Sequence, residues 1–346
     1  MIITRWVSSP RFFVKRFTSV ELFAGAGGLA LGLQRAGFNA QALVERDRHC
    51  CATLRRNAAR YFPRTRIVQA DIQRLTVPAF KQRSGINGRI DLVSGGPPCQ
   101  SFSISKIPKG GRVRDPRDEM LWHFARFVRK LEPRAFLFEN VPGLLSRSNG
   151  RIFRDLMKYL RSIGYIPTVG ILNAADFGVP QIRKRLFVAG CSKGHTIDFP
   201  APTHSPTGEE GLPLHVSIEE TLSRVGRRIP NHRLPNNTRE KRKLLAKMTP
   251  GSQWKHWRHR DKWNGPSRCL TAHCRDEWVH PLEPRAASVR ELAALQTFPN
   301  QYIFCGPVNS SNNSPDSFQY RQVGNAVPVR MAKVLGMTIA AHLTEC

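Results

Sequence analysis

Acidic residues are scarce in this 346-residue chain: 25 Asp and Glu stand against 54 Lys and Arg, leaving a formal charge of +29. Such an imbalance points first to a polyanionic partner. No uninterrupted run of 18 or more apolar residues occurs, which argues against a membrane-spanning helix. The eight cysteines, at 50, 51, 99, 191, 269, 274, 305 and 346, include no C-x-x-C pair and lack the tight regular spacing of a disulfide framework, so a reducing interior is expected. Cys269, Cys274, His273 and His280 match no common zinc-ligand spacing, and no metal is expected. Internal repeats are missing too. Apolar residues are plentiful: 40% of the chain is hydrophobic and 9% aromatic, enough for a sizeable core and too much for a wholly disordered basic tail.

The length suits one large core with a smaller second lobe. Residues 1–190 hold 33 Lys and Arg against 12 Asp and Glu, 191–285 hold 17 against 10, and 286–346 hold 4 against 3, so the positive excess sits mainly in the first block. Residues 1–16 carry Arg5, Arg11, Lys15 and Arg16 and no acid; a basic leader before the first strand explains them more simply than an organelle-targeting peptide. From Phe17 the pattern is orderly. The β-prone run Thr18-Ser19-Val20-Glu21-Leu22-Phe23 enters the turn Ala24-Gly25-Ala26-Gly27-Gly28, and a helical segment follows as far as Ala36, stopped by Gly37. Strand-like runs at 40–44, 66–68, 90–93, 135–138 and 185–189 alternate with helical stretches such as 121–131 and 152–163, the signature of a parallel sheet flanked by helices. After Gly190 prolines punctuate a stretch rich in His, Trp and Arg, which marks a domain boundary. Helical periodicity returns at 289–297 and in a closing helix at 327–343, with a polar surface loop at 309–315 between them.

Two clusters carry candidate chemistry. A strand, a glycine turn and a helix let backbone N–H groups meet a negatively charged ligand group. The spacing Gly25-x-Gly27-Gly28 is not the dinucleotide G-x-G-x-x-G, and a tight structural turn explains it equally well on its own. Glu45, ending the second strand-like run, is placed to accept from ribose hydroxyls, and Asp71 ends the third; each alone reads as readily as a surface acid. Together the three strand ends point to a nucleoside-bearing cofactor, without separating nicotinamide from S-adenosylmethionine. The second cluster begins at Gly95-Gly96-Pro97-Pro98-Cys99, where two glycines and two prolines stiffen and expose a cysteine at a strand's carboxyl end, placed like a nucleophile. An ordinary buried cysteine is the alternative and leaves so constrained a turn unexplained. Glu139 then follows the nearly apolar run 135–138; desolvation there raises a carboxyl pKa, so the group can stay protonated and donate to a ring nitrogen, or simply cap a helix.

The ordered set of motifs resembles the DNA cytosine-5 methyltransferase family of bacterial restriction-modification type, over most of the chain. The matching pieces are Glu21-Leu22-Phe23-Ala24-Gly25-Ala26-Gly27-Gly28, Gly96-Pro97-Pro98-Cys99-Gln100-Ser101, Glu139-Asn140-Val141, Gln181-Ile182-Arg183-Lys184-Arg185, the run 290–299 from Arg290 to Pro299, and Gln322-Val323-Gly324-Asn325-Ala326-Val327-Pro328. Glu21 and Ala70 stand where the family more commonly has aspartate and glycine. The resemblance implies an α/β, Rossmann-like S-adenosylmethionine-dependent methyltransferase fold, with a mostly parallel sheet and a smaller target-recognition domain. It divides the chain into a catalytic domain at 17–190, a target-recognition domain at 191–317 whose variable part is about 191–288, and a closing segment at 318–346.

It further implies that Cys99 thiolate attacks cytosine C6, that Glu139 protonates N3, that Arg185 holds O2 and that Arg183 organises the site. S-adenosylmethionine is implied as cofactor, held by Phe23, Ala24, Gly25, Gly27, Gly28, Glu45, Asp71, Ile72, Pro97 and Asn325. The partner is double-stranded DNA with its target base flipped out. DNA contacts are expected from Gln100 and from a lid at 103–117 bearing Ser103, Lys106, Lys109, Arg112 and Arg114, a stretch that otherwise reads as a solvated loop. In the recognition region, where aromatics interleave with donors, they are expected from Trp254, Arg258, Arg260 and Arg268. A bacterial cytoplasmic, nucleoid-associated monomer with a cognate restriction endonuclease is the setting implied. Rival readings are a transfer-RNA cytosine-5 methyltransferase, a silent DNA-binding relative, which would lack Cys99 or Glu139, a dehydrogenase, disfavoured by the glycine spacing, and an amino-directed DNA methyltransferase, disfavoured by Pro-Pro-Cys.

Overall fold

A computed structural model describes residues 17–98, 118–192, 194–226, 228–233, 239–254, 258–308 and 317–345. Among them seven strands build the main sheet: β1 Phe17–Leu22, β2 Phe38–Glu45, β3 Arg66–Gln69, β4 Leu92–Gly95, β5 Ala135–Asn140, β6 Tyr165–Asn173 and β7 Lys184–Ser192. Their order is β3-β2-β1-β4-β5-β7-β6. Helices α1 Gly28–Arg35, α2 Arg48–Tyr61, α3 Val77–Ser84, α4 Asp118–Leu131 and α5 Arg151–Ser162 alternate with the strands.

β5 shows why this sheet forms. Its run Ala-Phe-Leu-Phe is apolar at every position, as a strand covered on both faces must be. Phe136 and Phe138 join Phe124 of α4 in one cluster, while Ala135 and Leu137 pack on the other face with Leu29 and Leu33 of α1.

The chain changes winding direction between β1 and β4, and ligands of open α/β sheets bind at such a switch point, beyond the strands' carboxyl ends. Register makes those ends level: Leu22 stands opposite Val44 and Gly95, and Gly95 opposite Phe138. The next residues, Phe23, Glu45, Gly96 and Glu139, therefore share one edge.

Two features depart from the alternating pattern. β7 runs antiparallel to both β5 and β6. β6 itself has no counterpart among the strand-like runs, because Pro167 and Gly170 interrupt it; proline is tolerated at an edge strand, where no ladder hydrogen bond is lost.

The later part of the chain contributes α6 Ile218–Leu222, α7 Arg239–Ala246, α8 Cys274–Glu277 and a small sheet of β8 Gln253–Trp254, β9 Arg258–Arg260 and β10 Trp278–Val279, ordered β10-β9-β8. Then α9 Val289–Leu295, α10 Gln319–Asn325 and α11 Val329–Glu345 follow. α9 starts at a capping box in which Ser288 and Glu291 satisfy each other's backbone N–H. Leu292, Leu295, Phe298, Tyr302 and Phe304 share a cluster with Ala24, Ala26, Leu43 and Leu54, so this stretch packs on the main sheet's helices and turn. α11 continues along α1, with Met331, Leu335 and Ile339 in the cluster that holds Leu29 and Leu33.

Candidate active site

Glu45 organises the turn after β1. Its Oε2 accepts from Gly25 N at 2.8 Å, and its Oε1 accepts from Arg46 N at 2.7 Å and Asp47 N at 2.8 Å. Burial raises the carboxyl's pKa and these backbone donors pull it back toward the charged form. Ala24 N donates to Val44 O, and Phe23 and Gly25 take positive φ values of 57° and 53°. A Cβ on Gly28 would stand 2.3 Å from Val327 O, so only glycine lets the closing segment seal this turn from behind. In front of Gly25 the space is open, with no atom within 4 Å of where a Cβ would stand. Asp71 is half-buried, with Oδ1 accepting from Gln73 N at 3.0 Å. Ile72 and Pro97 are buried and Asn325 is exposed. The open space, the glycine turn and the two acids suit a nucleoside-bearing ligand.

At the chemical end, Arg185 Nε lies 3.2 Å from Glu139 Oε1, with the two side chains 16% and 13% exposed. Burial drives the Glu139 pKa up, while Arg185 and then Arg183 oppose the shift. Gly96 leaves room for this carboxylate: a Cβ there would sit 2.9 Å from Glu139 Oε2. Asn140 ties the two strands' ends together, its Nδ2 donating to Pro97 O at 3.2 Å while its Oδ1 accepts from Val141 N at 2.9 Å. Glu139 and the Gly96–Pro97 turn are thereby brought together. Cys99, Gln100 and the stretch with Ser103, Lys106, Lys109, Arg112 and Arg114 lie outside the described residues.

Arg183 is buried and serves a different purpose from Arg185. Its Nη1 donates to Leu270 O at 2.7 Å and Gly324 O at 3.2 Å, and burial, reinforced by Arg185, lowers its pKa to about 10. Nearby, Gln181 Oε1 accepts from Leu270 N and its Nε2 donates to Gln296 Oε1, which leaves Gln296 Nε2 to reach Val323 O and Ala326 O. Cys269 Sγ lies 3.6 Å from both Arg183 Nη1 and Arg185 Nη2. Gln181, Gln296, Asn140 and Cys269 were not singled out from the sequence for any role. All but Cys269 fall inside the quoted motifs, and that was the available signal.

The recognition region corrects one expectation. Arg260 is 8% exposed, its Nε donating to Pro281 O at 2.9 Å and its Nη1 to Met248 O at 2.5 Å, so its guanidinium is enclosed among backbone carbonyls and is not the exposed side chain expected of a DNA contact. Arg258 is half-buried and donates Nε to Asp276 O at 2.9 Å. Arg268 is exposed and held by Asp261 and Gln253. Trp254 belongs to β8. Among the described residues no three His, Cys, Asp or Glu side chains are grouped to hold a metal, and no helix is long and apolar enough to cross a membrane.

Residues 17–341 match the family profile of C-5 cytosine-specific DNA methylases. The chain belongs to that family. Similar relatives include the Type II methyltransferase M1.HphI of Haemophilus parahaemolyticus, 33% identical over 95% of this chain and 90% of the relative. M.Sau96I of Staphylococcus aureus is 31% identical over 96% of this chain and 77% of its own length. Among solved structures, a prophage-encoded Escherichia coli protein described as a DNA modification methyltransferase superposes with a TM-score of 0.74 at 25% identity, covering 95% of this chain and 99% of that one. The Dnmt2 methyltransferase of S. pombe shares the fold at a TM-score of 0.64 and 20% identity, over 95% and 100% of the two chains. The DNA methylase is thus an α/β methyltransferase with a mostly parallel seven-stranded sheet.

Proposed function

We propose that this DNA methylase modifies C5 of a flipped-out cytosine in duplex DNA through a covalent bond between Cys99 and C6. The observation that carries the reading is the Glu139–Arg185 pair at 3.2 Å beside the Gly96–Pro97 turn, two residues before Cys99 in the chain. Cytosine C5 is a poor nucleophile. Attack by a thiolate on C6 moves electron density to C5, and protonation of N3 by Glu139 lowers the cost of that attack; once C5 carries the methyl group, a base takes the C5 proton and the Cys99–C6 bond breaks, returning the thiolate and the aromatic ring. Burial suits Glu139 to that duty, since it favours the protonated form. Arg185 holds both the Glu139 carboxyl and the cytosine O2, while Arg183, spent on Leu270 and Gly324 carbonyls, positions the two segments around them.

The cofactor is S-adenosylmethionine, which supplies an electrophilic methyl group on a sulfonium when bound. The turn at Phe23, Ala24, Gly25, Gly27 and Gly28 and the hydrophobic Ile72 and Pro97 line its site. Glu45 would accept from the ribose hydroxyls, Asp71 would accept from the adenine amino group, and Asn325 would help close the pocket. DNA is bound by the lid residues, by Gln100, and by Trp254, Arg258 and Arg268 of a recognition domain that includes 191–288. The Type II names of the relatives support a modification enzyme paired functionally with a restriction endonuclease; the proposed setting is the bacterial cytoplasm, with the enzyme acting as a monomer. They lend no support to a transfer-RNA substrate.

Purified protein should transfer labelled methyl from S-adenosylmethionine to duplex DNA. The Cys99→Ala variant should bind DNA without modifying it, and full activity in that variant would refute the mechanism. Trapping on DNA carrying 5-fluorocytosine tests the thiol adduct directly, because fluorine cannot leave as the C5 proton does.

A further inference from the structure

We infer that Arg268 is a specificity-determining residue that reads a guanine in the base pairs next to the flipped cytosine, an assignment that rests on the reading of the protein as a DNA cytosine methyltransferase. Arg268 precedes Cys269, whose Sγ lies 3.6 Å from Nη1 of Arg183 and from Nη2 of Arg185. Consecutive Cα atoms are about 3.8 Å apart, so Arg268 is rooted beside the target-base pocket. Its side chain is nevertheless 45% exposed.

The guanidinium is pre-aligned from two sides. Nη1 donates to Gln253 Oε1 of β8 at 2.7 Å, and Nε lies 3.5 Å from Asp261 Oδ1. Asp261 is itself anchored: its side chain is 6% exposed and its Oδ2 accepts from Trp278 Nε1 at 3.0 Å and from Arg268 N at 2.9 Å. Nη2 keeps both its N–H groups and Nη1 its second, none with a partner among the described residues, so two adjacent nitrogens still offer donors. A carboxylate beside the fork offsets its positive charge, which weakens attraction to a phosphate, but leaves the direction of the remaining N–H groups fixed. Directional paired donors are what the O6 and N7 acceptors of guanine require, whereas a phosphate needs only a point charge.

The test compares methylation patterns. Plasmid DNA methylated in cells by the wild type, by Arg268→Lys and by Arg268→Gln is read by bisulfite sequencing, with thermal melting as a check on folding. The wild-type consensus should contain a guanine on either strand near the modified cytosine. In both variants discrimination at that one base pair should fall by about tenfold or more, the value of a bidentate contact, with the other positions kept. An independent arm keeps the wild-type protein and replaces each guanine of the mapped site by 7-deazaguanine, which lacks the N7 acceptor. One position should lose rate, and Arg268→Lys should be insensitive to that same substitution.

An unchanged consensus in both variants, with or without a uniform loss of rate, overturns the assignment in favour of a phosphate contact or none. So does a 7-deazaguanine series without a sensitive position. A wild-type protein that methylates no DNA sinks the underlying reading instead, and the guanine reader with it.

Discussion

Glu139 and Glu21 are both buried carboxyls, and their surroundings give them opposite meanings. Glu139 has two arginines that oppose the desolvation raising its pKa, and the raised pKa favours the protonated form that donates. Glu139→Gln should lower kcat by about 10²- to 10⁴-fold in a methyl-transfer assay while DNA affinity is retained. Because the protonated form acts, wild-type rate should fall as pH rises through the raised pKa, and the variant should lack that limb. Glu21 has no such relief: it is 3% exposed, its Oε2 has no partner among the described residues, and burial, with Glu45 adding to it, holds its pKa well above the ordinary value of 4.5. Between the unfolded and folded pKa values the native protein binds a proton that the unfolded chain has lost, so stability falls as pH rises through that window. Glu21→Gln mimics the protonated acid, and its melting temperature should exceed the wild type's by a margin that grows from pH 5 to pH 8.

At the scale of elements, the site is a junction of strand ends held by short polar ties. Asn140 ties β5 to the Pro97 carbonyl, so Asn140→Ala frees the segment that carries Cys99. A nucleophile misplaced by about 1 Å can cost 10²-fold, and kcat should fall on that order in a methyl-transfer assay while the protein stays folded by circular dichroism. Arg290 does the same work for the stretch after α9. It is fully buried, donates to the carbonyls of Pro230 and Pro299 at 2.9 and 2.8 Å and to that of Tyr302, and burial lowers its pKa to about 10. Arg290→Ala removes the donor of the Pro230 and Tyr302 carbonyls, while Pro299 O keeps Tyr302 N, and should cost about 3 kcal/mol in denaturant unfolding.

For the whole molecule, the +29 charge predicts affinity without selectivity. Neutralising phosphates releases counterions, so DNA affinity should drop by about a thousandfold or more between 50 and 200 mM salt if at least six phosphates are contacted. A filter-binding series at increasing salt measures the slope, and a flat line would contradict it. Residues 191–285 hold 17 basic against 10 acidic residues, a smaller excess than the 33 against 12 of residues 1–190, so selectivity in the later stretch rests on placed donors and not on charge.

The order of strands and helices, the glycine turn and the acids at strand ends were legible in the sequence, because each depends on local periodicity and on residue types that backbone geometry or charge demands. The resemblance supplied the reaction, since six short motifs in one order carry it. Contacts between distant segments were not legible. No local pattern in Gln181, Gln296 or Cys269 announces that they meet the site from 115 or 84 residues away. β6 was hidden because edge placement, which excuses Pro167, is a property of the finished sheet. Arg258, Arg260 and Arg268 look alike in sequence. Burial separates them, because a guanidinium enclosed among backbone carbonyls is held by the fold, and one held by Asp261 and Gln253 at the surface stays exposed.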